Sequence, residues 1–245
     1  MRNGYSAAQI RAAEEPHLAA GEPLMQRAAA ALADEIRGLL RVRGAAAAGG
    51  GNSAPVGASA PTVVLLVGTG NNGGDALFAG ALLAADGVRV EIVPVGGRMH
   101  EDGLSAATAA GARVHDSADP AGVASLVANA DLIVDGILGT GSAADPALRG
   151  RAREIVAAIL PVVRPLPVRS PARPLVVAVD IPSGIGADDG SVPDPTVLPA
   201  DTTVTFGGHK AGLLMGQAQR FTGLVKLVDI GLALELGAMR PVVRG

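Results

Sequence analysis

The chain has 245 residues, a formal net charge of −3, no cysteine and only 2% aromatic residues. This length suits one large α/β domain or at most two small ones. The acidic balance argues against a nucleic-acid-binding face, and the lack of cysteine excludes disulfides, thiolate zinc sites and cysteine nucleophiles. The sequence begins without the apolar segment of a secretory signal, and no apolar run approaches the ~20 residues of a membrane helix. We therefore expect a soluble, cytoplasmic protein without a membrane or nucleic-acid partner.

The first forty residues have helical periodicity. Ser6 is the expected N-cap of a helix that ends at about residue 20, before Gly21-Glu22-Pro23. Apolar residues at the 3.6-residue period predict a second helix over 24–40. The segment 43–62 consists largely of Ala, Gly, Ser and Pro, and we predict a flexible loop there.

From residue 62 onward, apolar strands alternate with helical segments. The predicted strands are 62–67, 88–93, 112–115, 132–134, 175–179, 202–206 and 223–229. The predicted helices are 75–85, 101–110, 121–128 and 147–160, and the proline-rich stretch 161–174 is predicted to be irregular. Uninterrupted apolar strands joined by helices are typical of a buried parallel sheet with helices on both faces. The sequence thus predicts one α/β domain, 1–245, a Rossmann-like three-layer αβα sandwich with a mostly parallel central sheet and an N-terminal helical extension.

A glycine-rich turn follows the first predicted strand of this sheet. Segment 68–75 reads GTGNNGGD and contains the GxGxxG dinucleotide-binding fingerprint, with Glu91 about twenty residues further on. The two asparagines and Asp75, however, stand where a pyrophosphate normally meets bare backbone N–H groups. A carboxylate there opposes an anionic ligand unless a cation offsets its charge. Asp75 is also compatible with a plain helix N-cap.

A second loop rich in glycine and hydroxyl groups follows the predicted strand 132–134. Asp135 begins this loop, and Gly139-Thr140-Gly141 offers backbone N–H groups and a hydroxyl. Asp145-Pro146 then has the form of a helix N-cap with a first-turn proline. A helix N-terminus beside free N–H groups favours a phosphate, so we predict a phosphate cradle. Asp135 taken alone is also compatible with an ordinary turn.

Two further polar loops follow the next two apolar strands. In segment 180–184 (DIPSG) the proline fixes the backbone and the glycine permits a tight reversal, which presents Asp180 and Ser183 at the strand tip. In segment 207–212 (GGHKAG) lies Lys210, one of only two lysines in the chain. Taken singly, the first pattern is also compatible with an ordinary turn and the second with a surface lysine. Taken together, the two loops favour a functional site.

Asp75, Asp135 and Asp180 each belong to a different strand-end loop, so we expect the fold to bring them to one rim of the sheet. Three like charges close together raise at least one pKa or require a cation. Carboxylate, amide and hydroxyl oxygens suit a hard ion such as Mg²⁺, Na⁺ or K⁺. The sequence has no zinc-binding histidine spacing, no Walker A motif and no Gly-x-Ser-x-Gly motif. These absences argue against a zinc hydrolase, a P-loop NTPase and a serine esterase.

These four motifs, in this order, resemble the NAD(P)H-hydrate epimerase family, also called the YjeF N-terminal domain family. The resemblance is carried by 70–75 (GNNGGD), 135–141 (DGILGTG), 180–184 (DIPSG) and 206–213 (FGGHKAGL), and it extends over residues 5–232. It implies a Rossmann-like fold, a homodimer and one bound potassium ion (K⁺) per subunit. The implied activity is that of an isomerase, which interconverts the R and S epimers at C6 of hydrated NADH and NADPH in the repair of these damaged cofactors. A dehydratase often follows in the same polypeptide in this family; here we expect it on a separate chain.

Carried over residue by residue, the resemblance implies that Asn72, Asp135 and Ser183 are potassium ligands and that Asp180 is the catalytic residue at the reacting ring. The residues expected to contact the hydrated cofactor are Asn71, Asn72, Gly73, Gly74, Asp75, Gly139, Thr140, Gly141, Ser142, Ala143, Ala144, Asp145, Asp180 and Lys210. Two positions depart from the family pattern, since Ala76 and Gly186 replace a common glycine and a common aspartate.

The chemistry of the implied substrate defines what Asp180 must do. C6 of the hydrate is a hemiaminal carbon beside N1, so protonation of its hydroxyl lets the N1 lone pair expel water and form an iminium. Water that adds to the other face inverts the centre, and ring opening to an aldehyde is the alternative route. Either route needs a proton donor that becomes an acceptor, a role that contributes roughly 10²–10⁴ in rate. Two other functions stay open, an NAD(P)-dependent oxidoreductase and a non-catalytic binding module.

Overall fold

The strands of the chain form two sheets, and helices cover the larger one. The computed structural model describes residues 2–47, 60–115, 119–141, 145–163 and 173–244. The helices described are α1 (Ala7–Ala19), α2 (Leu24–Ala47), α3 (Asn71–Ala85), α4 (Glu101–Ala109), α5 (Pro120–Ala128), α6 (Gly150–Val163), α7 (Ala211–Leu214) and α8 (Ala233–Gly237), with a 3₁₀ turn at Gly216–Arg220. The strands are β1 (Asn3–Tyr5), β2 (Thr62–Val67), β3 (Arg89–Pro94), β4 (Arg113–Val114), β5 (Leu132–Gly136), β6 (Leu175–Val179), β7 (Thr202–Phe206), β8 (His209–Lys210), β9 (Leu224–Val228) and β10 (Val243–Arg244).

The larger sheet has seven strands in the order β4-β3-β2-β5-β6-β7-β9. Each of its strand pairings is parallel. The chain therefore enters this sheet near its middle with β2, runs outward to β4, and returns to β5 on the other side of β2. Ligands of such sheets bind beyond the carboxyl ends of the strands at this reversal.

Successive residues of β2 pack into two separate cores on opposite faces of the sheet. Val63, Leu65 and Val67 pack with buried residues of α2 and α3, whereas Val64 and Leu66 pack with buried residues of α5 and α6. Because side chains alternate across a strand, this pattern requires helices on both faces. The predicted three-layer αβα sandwich with a mostly parallel sheet is thus confirmed.

The first helix has the N-terminus that the sequence predicts. The Ser6 hydroxyl accepts a hydrogen bond from the Gln9 N–H, and the Gln9 side chain accepts one from the Ser6 N–H, which forms a capping box. The helix ends before Gly21, whose φ of +73° suits glycine.

The second helix is longer than predicted. α2 runs to Ala47, so the prediction of a loop over 43–62 is wrong for residues 43–47. Arg43 fixes this end, because its guanidinium donates a 2.7 Å hydrogen bond to the Arg173 carbonyl. The part of the predicted loop at 48–59 lies outside the described residues.

The helix predicted at 147–160 is displaced along the chain. α6 starts at Gly150 and continues to Val163, so 161–163 are helical rather than irregular. The Asp145 carboxylate accepts a hydrogen bond from the Ala147 N–H at 3.0 Å, five residues before α6 begins. The prediction that Asp145-Pro146 caps this helix is therefore wrong, and residues 164–172 lie outside the described part.

A small second sheet, which the sequence analysis did not predict, joins the two ends of the chain. β1 lies between β10 and β8, antiparallel to the first and parallel to the second. In this register Tyr5 is the partner of Lys210. The sheet thereby fixes the start of α1 beside Lys210.

Among the described helices, none has the length and apolar character needed to cross a bilayer.

Candidate functional site

A cavity of about 1150 Å³ lies at the carboxyl edge of the large sheet. It is lined by residues of α1 and of the start of α2, and by residues of the loops after β2, β5, β6 and β7. The loop glycines and the small alanines of both helices leave this space open. Pockets of such size hold ligands larger than a typical small metabolite.

Glycines let the loop after β2 pass close to the loop after β5. A side chain on Gly68 would overlap the carbonyl of Ile137, and one on Gly73 would overlap the carbonyl of Gly68. Gly70 is the N-cap of α3 and provides no side-chain cap. The alternative reading of Asp75 as an N-cap is therefore wrong. The first turn of α3, whose N–H groups have no partner within the helix, starts at the cavity-lining residues Gly70 and Asn71.

Asn72 ties three of the strand-end loops together. Its side-chain nitrogen donates hydrogen bonds to the carbonyls of Val179 at 2.6 Å and Leu138 at 3.2 Å. A side chain at Gly139 would collide with this amide, which explains the glycine there. Asn72 is buried, so these bonds form away from water and fix the loop positions.

Asp135 and Ser183 form a buried pair beneath the cavity. The Ser183 hydroxyl donates to Asp135 Oδ1 at 2.6 Å, and the Ser183 N–H donates to Oδ2 at 2.9 Å. Burial raises the pKa of the Asp135 carboxyl, and the bonds from Ser183 partly offset that effect. Within the described residues no basic side chain pairs with Asp135.

The oxygens around this pair fit an alkali cation. The Leu138 carbonyl oxygen lies 3.3 Å from the Ser183 hydroxyl, which itself contacts Asp135. A buried carboxylate without a basic partner needs a compensating positive charge or a proton. A cluster of carboxylate, hydroxyl and carbonyl oxygens supplies ligands that hard cations prefer. The described residues contain no group of three or more His, Cys, Asp or Glu side chains able to hold a metal, so zinc-type ligation has no support here.

A second buried pair consists of Asp180, directly after the end of β6, and Lys210, in β8. Asp180 Oδ1 accepts hydrogen bonds from the Lys210 ammonium, the Thr205 hydroxyl at 3.1 Å and the Phe206 N–H at 3.2 Å. Lys210 also donates to the Thr205 hydroxyl and to the Phe206 carbonyl. All these contacts use Oδ1, so the second carboxylate oxygen of Asp180, which lines the cavity, is left for a ligand.

The backbone of Asp180 is held in an uncommon conformation. Its φ is +66°, the only positive φ of a non-glycine residue within the described part of the chain. Its N–H donates to the Val204 carbonyl at 2.7 Å, which fixes the strand end. Aspartate tolerates the left-handed region better than most residues, and such conformations concentrate at functional sites.

Asp75 lies beside this pair in the second turn of α3. Burial raises its pKa well above the ordinary value, and the charge of Asp180 raises it further, while Lys210 acts in the opposite direction. Asp75 has no hydrogen-bond partner among the described residues and lines the cavity. These conditions favour a protonated carboxyl that can donate to a ligand.

Glu14 of α1 is a cavity residue that the sequence analysis missed. It is half-buried, and burial raises the pKa of its carboxyl, with an opposing effect from Lys210 and an added one from Asp180. Ile10 and Ala13 form the buried face of the helix, and Glu14 continues that face one turn after Ile10. A carboxylate next to the apolar positions Ile10 and Ala13 is the only sign of it in the sequence, and that sign does not show that this part of α1 faces a cavity.

The structure gathers most of the predicted site residues and separates a few. The predicted contact residues that line the cavity are Asn71, Asn72, Asp75, Gly139, Thr140, Gly141, Asp180 and Lys210. Gly73 and Gly74 are buried inside α3 and do not line it. Asp145 also lies away from the cavity, where it forms an ion pair with Arg149. Ser142, Ala143 and Ala144 lie outside the described residues.

Glu91, the residue that favoured the oxidoreductase reading, has another contact. Glu91 is buried and pairs with His115 through a 2.7 Å contact. It does not line the cavity. The other lysine, Lys226, pairs with Glu35 on the outer part of the sheet.

Comparison with known proteins adds sequence evidence to this geometry. The family model described as "YjeF-related protein N-terminus" matches residues 21–212. An NAD(P)H-hydrate epimerase of Clavibacter michiganensis subsp. michiganensis is 49% identical, over 100% of this chain and 96% of that protein. One of Microbacterium testaceum is 45% identical, over 98% of this chain and 82% of that protein.

A bifunctional NAD(P)H-hydrate repair enzyme of Mycobacterium tuberculosis is 39% identical, and the match covers 96% of this chain but 42% of that protein. The yeast protein YNL200c superimposes with a TM-score of 0.67 at 17% identity, over 92% of this chain and 87% of that structure. The yeast structure supports the fold alone.

Proposed function

The chain belongs to the family of YjeF-related protein N-termini, and from this we propose that it is an isomerase, an NAD(P)H-hydrate epimerase that interconverts the R and S forms of hydrated NADH and NADPH at C6. The observation that carries the proposal is the cavity at the sheet edge, where Asp180 presents a free carboxylate oxygen among the four family motifs. Its size suits a dinucleotide.

Different loops around the cavity bind different parts of the dinucleotide. The N–H groups at the start of α3 and in the loop 139–141 suit the diphosphate, because a helix N-terminus and glycine-rich backbone attract anions. The amide of Asn71 and the protonated carboxyl of Asp75 add uncharged donors beside them, so Asp75 need not repel the phosphates. Asp180 then lies at the nicotinamide ring.

Asp180 exchanges the proton in the reaction. The Lys210 ammonium, the Thr205 hydroxyl and the Phe206 N–H hold Oδ1, so the other oxygen keeps a fixed position against the ring. A carboxyl group placed in this way protonates the departing hydroxyl of C6 or accepts a proton from the returning water. No hydride is transferred, so no redox partner is needed.

Asn72, Asp135 and Ser183 would hold the potassium ion, with the Leu138 carbonyl beside them. When bound, the ion supplies a positive charge that offsets the buried Asp135 carboxylate and steadies the loops on either side. The support for this site is the oxygen-rich donor set and the lack of a basic partner for Asp135 among the described residues.

The assembly and the setting of the protein are also proposals. A homodimer follows from the family resemblance, and a cytoplasmic location follows from the composition. The bifunctional relatives of mycobacteria are named as NAD(P)H-hydrate repair enzymes and are more than twice as long as the matched region. We infer that a dehydratase activity works together with this protein.

The direct test follows the two epimers of hydrated NADH by chromatography. Starting from one purified epimer, the protein should bring the mixture to equilibrium faster than the spontaneous reaction. The exposed control variant Asp102→Asn should behave like the wild type. Equilibration at the spontaneous rate, or conversion of NAD⁺ with an added alcohol instead, would refute the proposal and favour the binding-module or oxidoreductase reading.

Replacement of Asp180 tests its role. Asp180→Asn should reduce epimerisation by at least 10²-fold. It also leaves the Lys210 ammonium buried without its partner, a change that costs about 3–5 kcal/mol. The double variant D180N/K210Q removes both charges and should fold while remaining inactive, as circular dichroism and the epimer assay would show. Wild-type activity in either variant would assign the proton transfer to another group.

A further inference from the structure

Inversion at C6 by loss and return of water requires proton transfer on both faces of the ring. The hydroxyl leaves from one face, and water must add to the opposite face to change the configuration. A single carboxyl fixed on one side reaches only one of these oxygens. The rigid hold on Asp180 Oδ1 by three donors makes it such a one-sided group.

The cavity offers carboxyl groups from two directions. Asp180 and Asp75 both belong to elements that begin at the carboxyl edge of the large sheet. Glu14 belongs to α1, which is not part of that edge but lines the same cavity. A ring bound between the sheet edge and α1 would then have Asp180 towards one face and Glu14 towards the other.

Glu14 is also close enough to the pair to interact with it. The charges of Asp180 and Lys210 both act on the Glu14 carboxyl, and the Glu14 charge acts on Asp75. Lys210, which is bonded to Asp180, thus acts on the other two carboxyl groups as well, and Arg11 also acts on Glu14. The Lys210 ammonium is bonded to the Asp180 carboxylate, whereas the Glu14 carboxyl is only half-buried and can exchange a proton with solvent.

The helix that carries Glu14 is firmly placed. The Asp188 carboxylate accepts a 2.6 Å hydrogen bond from the Ala7 N–H at the start of α1. The Gln9 amide donates to the Arg240 carbonyl at 2.8 Å, and Arg11 donates to the Thr140 carbonyl across the cavity at 3.3 Å. The access of Glu14 to the ring therefore depends on the fixed position of α1 and not only on the flexibility of its side chain.

We propose, on the basis of the function proposed above, that Glu14 is a second catalytic acid/base and serves the ring face opposite Asp180. In one direction Glu14 gives its proton to the C6 hydroxyl, the C–O bond breaks with its electron pair on oxygen, and water departs. The N1 lone pair forms the N1=C6 bond of the iminium. Water then adds on the Asp180 face, the N1=C6 pair returns to N1, and Asp180 takes the proton. The reverse direction exchanges the two roles.

The experiment measures two rates on the same sample, epimerisation and exchange of the C6 hydroxyl oxygen with ¹⁸O-labelled water. The wild type should label both epimers and interconvert them. Glu14→Gln should slow interconversion by at least tenfold, yet the epimer whose hydroxyl faces Asp180 should still exchange oxygen with retained configuration. The control Glu154→Gln, an exposed glutamate of α6, should match the wild type.

The outcomes separate this inference from the function it rests on. A wild type that does not epimerise refutes the function itself. If the wild type epimerises but E14Q interconverts both epimers at the wild-type rate, Glu14 has no catalytic role. If E14Q loses oxygen exchange on both epimers equally, Glu14 acts only on binding or structure, and the two-face assignment is wrong. Inversion by the wild type without ¹⁸O uptake would exclude the addition of water and overturn the proposal as well.

Discussion

At the scale of single residues, the site is a set of carboxyl groups with different surroundings. Asp180 is bonded to an ammonium, a hydroxyl and an N–H, whereas Asp75 is buried without a hydrogen-bond partner in the described structure. Environments that differ in this way separate the protonation states of neighbouring carboxyls. One site can then hold a carboxylate and a carboxylic acid at the same pH.

The buried state of Asp75 predicts a pH-dependent effect on stability. Its pKa is raised in the folded protein from an ordinary value of 3.8, so the folded state keeps the proton over a range where the unfolded state has lost it. The free energy of unfolding therefore falls as pH rises from about that ordinary value towards the folded pKa. Asp75→Asn removes this loss, because the amide never ionises.

We expect D75N to melt at a higher temperature than the wild type at pH 8, with the difference shrinking towards pH 4. Each kcal/mol regained corresponds to about 2–4 °C in a protein of this size. Thermal unfolding at pH 4, 6 and 8 checks this. Asp119→Asn, at the exposed N-cap of α5, keeps its cap and should show no such pH trend. A difference that is equal at all three pH values would contradict a protonated Asp75.

The individual site residues differed in how far sequence could identify them. Asp180 follows an apolar strand and precedes a proline and a glycine, so its position at a strand tip could be predicted from the chain alone. Its partner Lys210 was marked only by rarity and by flanking glycines. Glu14 could not be found in this way, because the direction in which α1 faces is set by the small sheet and by Asp188, which are distant in sequence.

At the scale of elements, α1 is a part of the site that lies outside the large sheet. It carries Glu14 and Arg11, and at its N-terminus Asp188 accepts a hydrogen bond from the Ala7 N–H. An anionic side chain at a helix N-terminus satisfies a free donor and interacts favourably with the helix dipole. Asp188 lies eight residues after Asp180, so this bond also ties α1 to the chain segment that follows Asp180.

Asp188→Ala should loosen α1 without unfolding the sheet. Loss of one such bond costs about 0.5–2 kcal/mol. Amide exchange in α1 should accelerate, and KM for the hydrated cofactor should rise more than kcat falls. Hydrogen exchange with mass spectrometry and steady-state kinetics measure both. Asp119→Ala removes a bond of the same 2.6 Å length from α5 and should leave α1 and KM unchanged. Equal exchange in α1 of D188A and wild type would show that Asp188 does not hold the helix.

The elements themselves were predictable where the pattern is strong and local. The predicted strands at 62–67, 175–179 and 202–206 agree with β2, β6 and β7. The first two are almost entirely apolar, as expected of a strand covered on both faces, and the third is rich in β-branched residues, which favour strands. The sequence pattern did not predict the last turns of α2, because alanines favour a helix but produce no periodic pattern of apolar residues. β1, β8 and β10 have only two or three residues each, and their pairing depends on the two chain ends meeting in space.

At the scale of the whole molecule, the order of strands explains why distant motifs form one site. β2, β5, β6 and β7 are neighbours in the sheet, so the loops after them meet at one edge. The expectation that Asp75, Asp135 and Asp180 lie at one rim agrees with this arrangement. The sequence could not show that Asp135 lies beneath the cavity with Ser183, whereas Asp180 lines it, because depth depends on how the loops pack.

The proposed potassium ion should act as part of the folded structure. A ligand that binds only the folded state stabilises it by about 2.7 kcal/mol at a concentration of 100 Kd. The melting temperature should therefore rise in potassium chloride relative to tetramethylammonium chloride at equal ionic strength. Asp135→Asn should abolish this increment, since it removes the charge that the cation offsets. Asp131→Asn, just before the other end of the same strand, should keep the increment. An unchanged increment in D135N would place the ion elsewhere, and no increment in the wild type would mean that the rim needs a proton rather than a cation to balance Asp135.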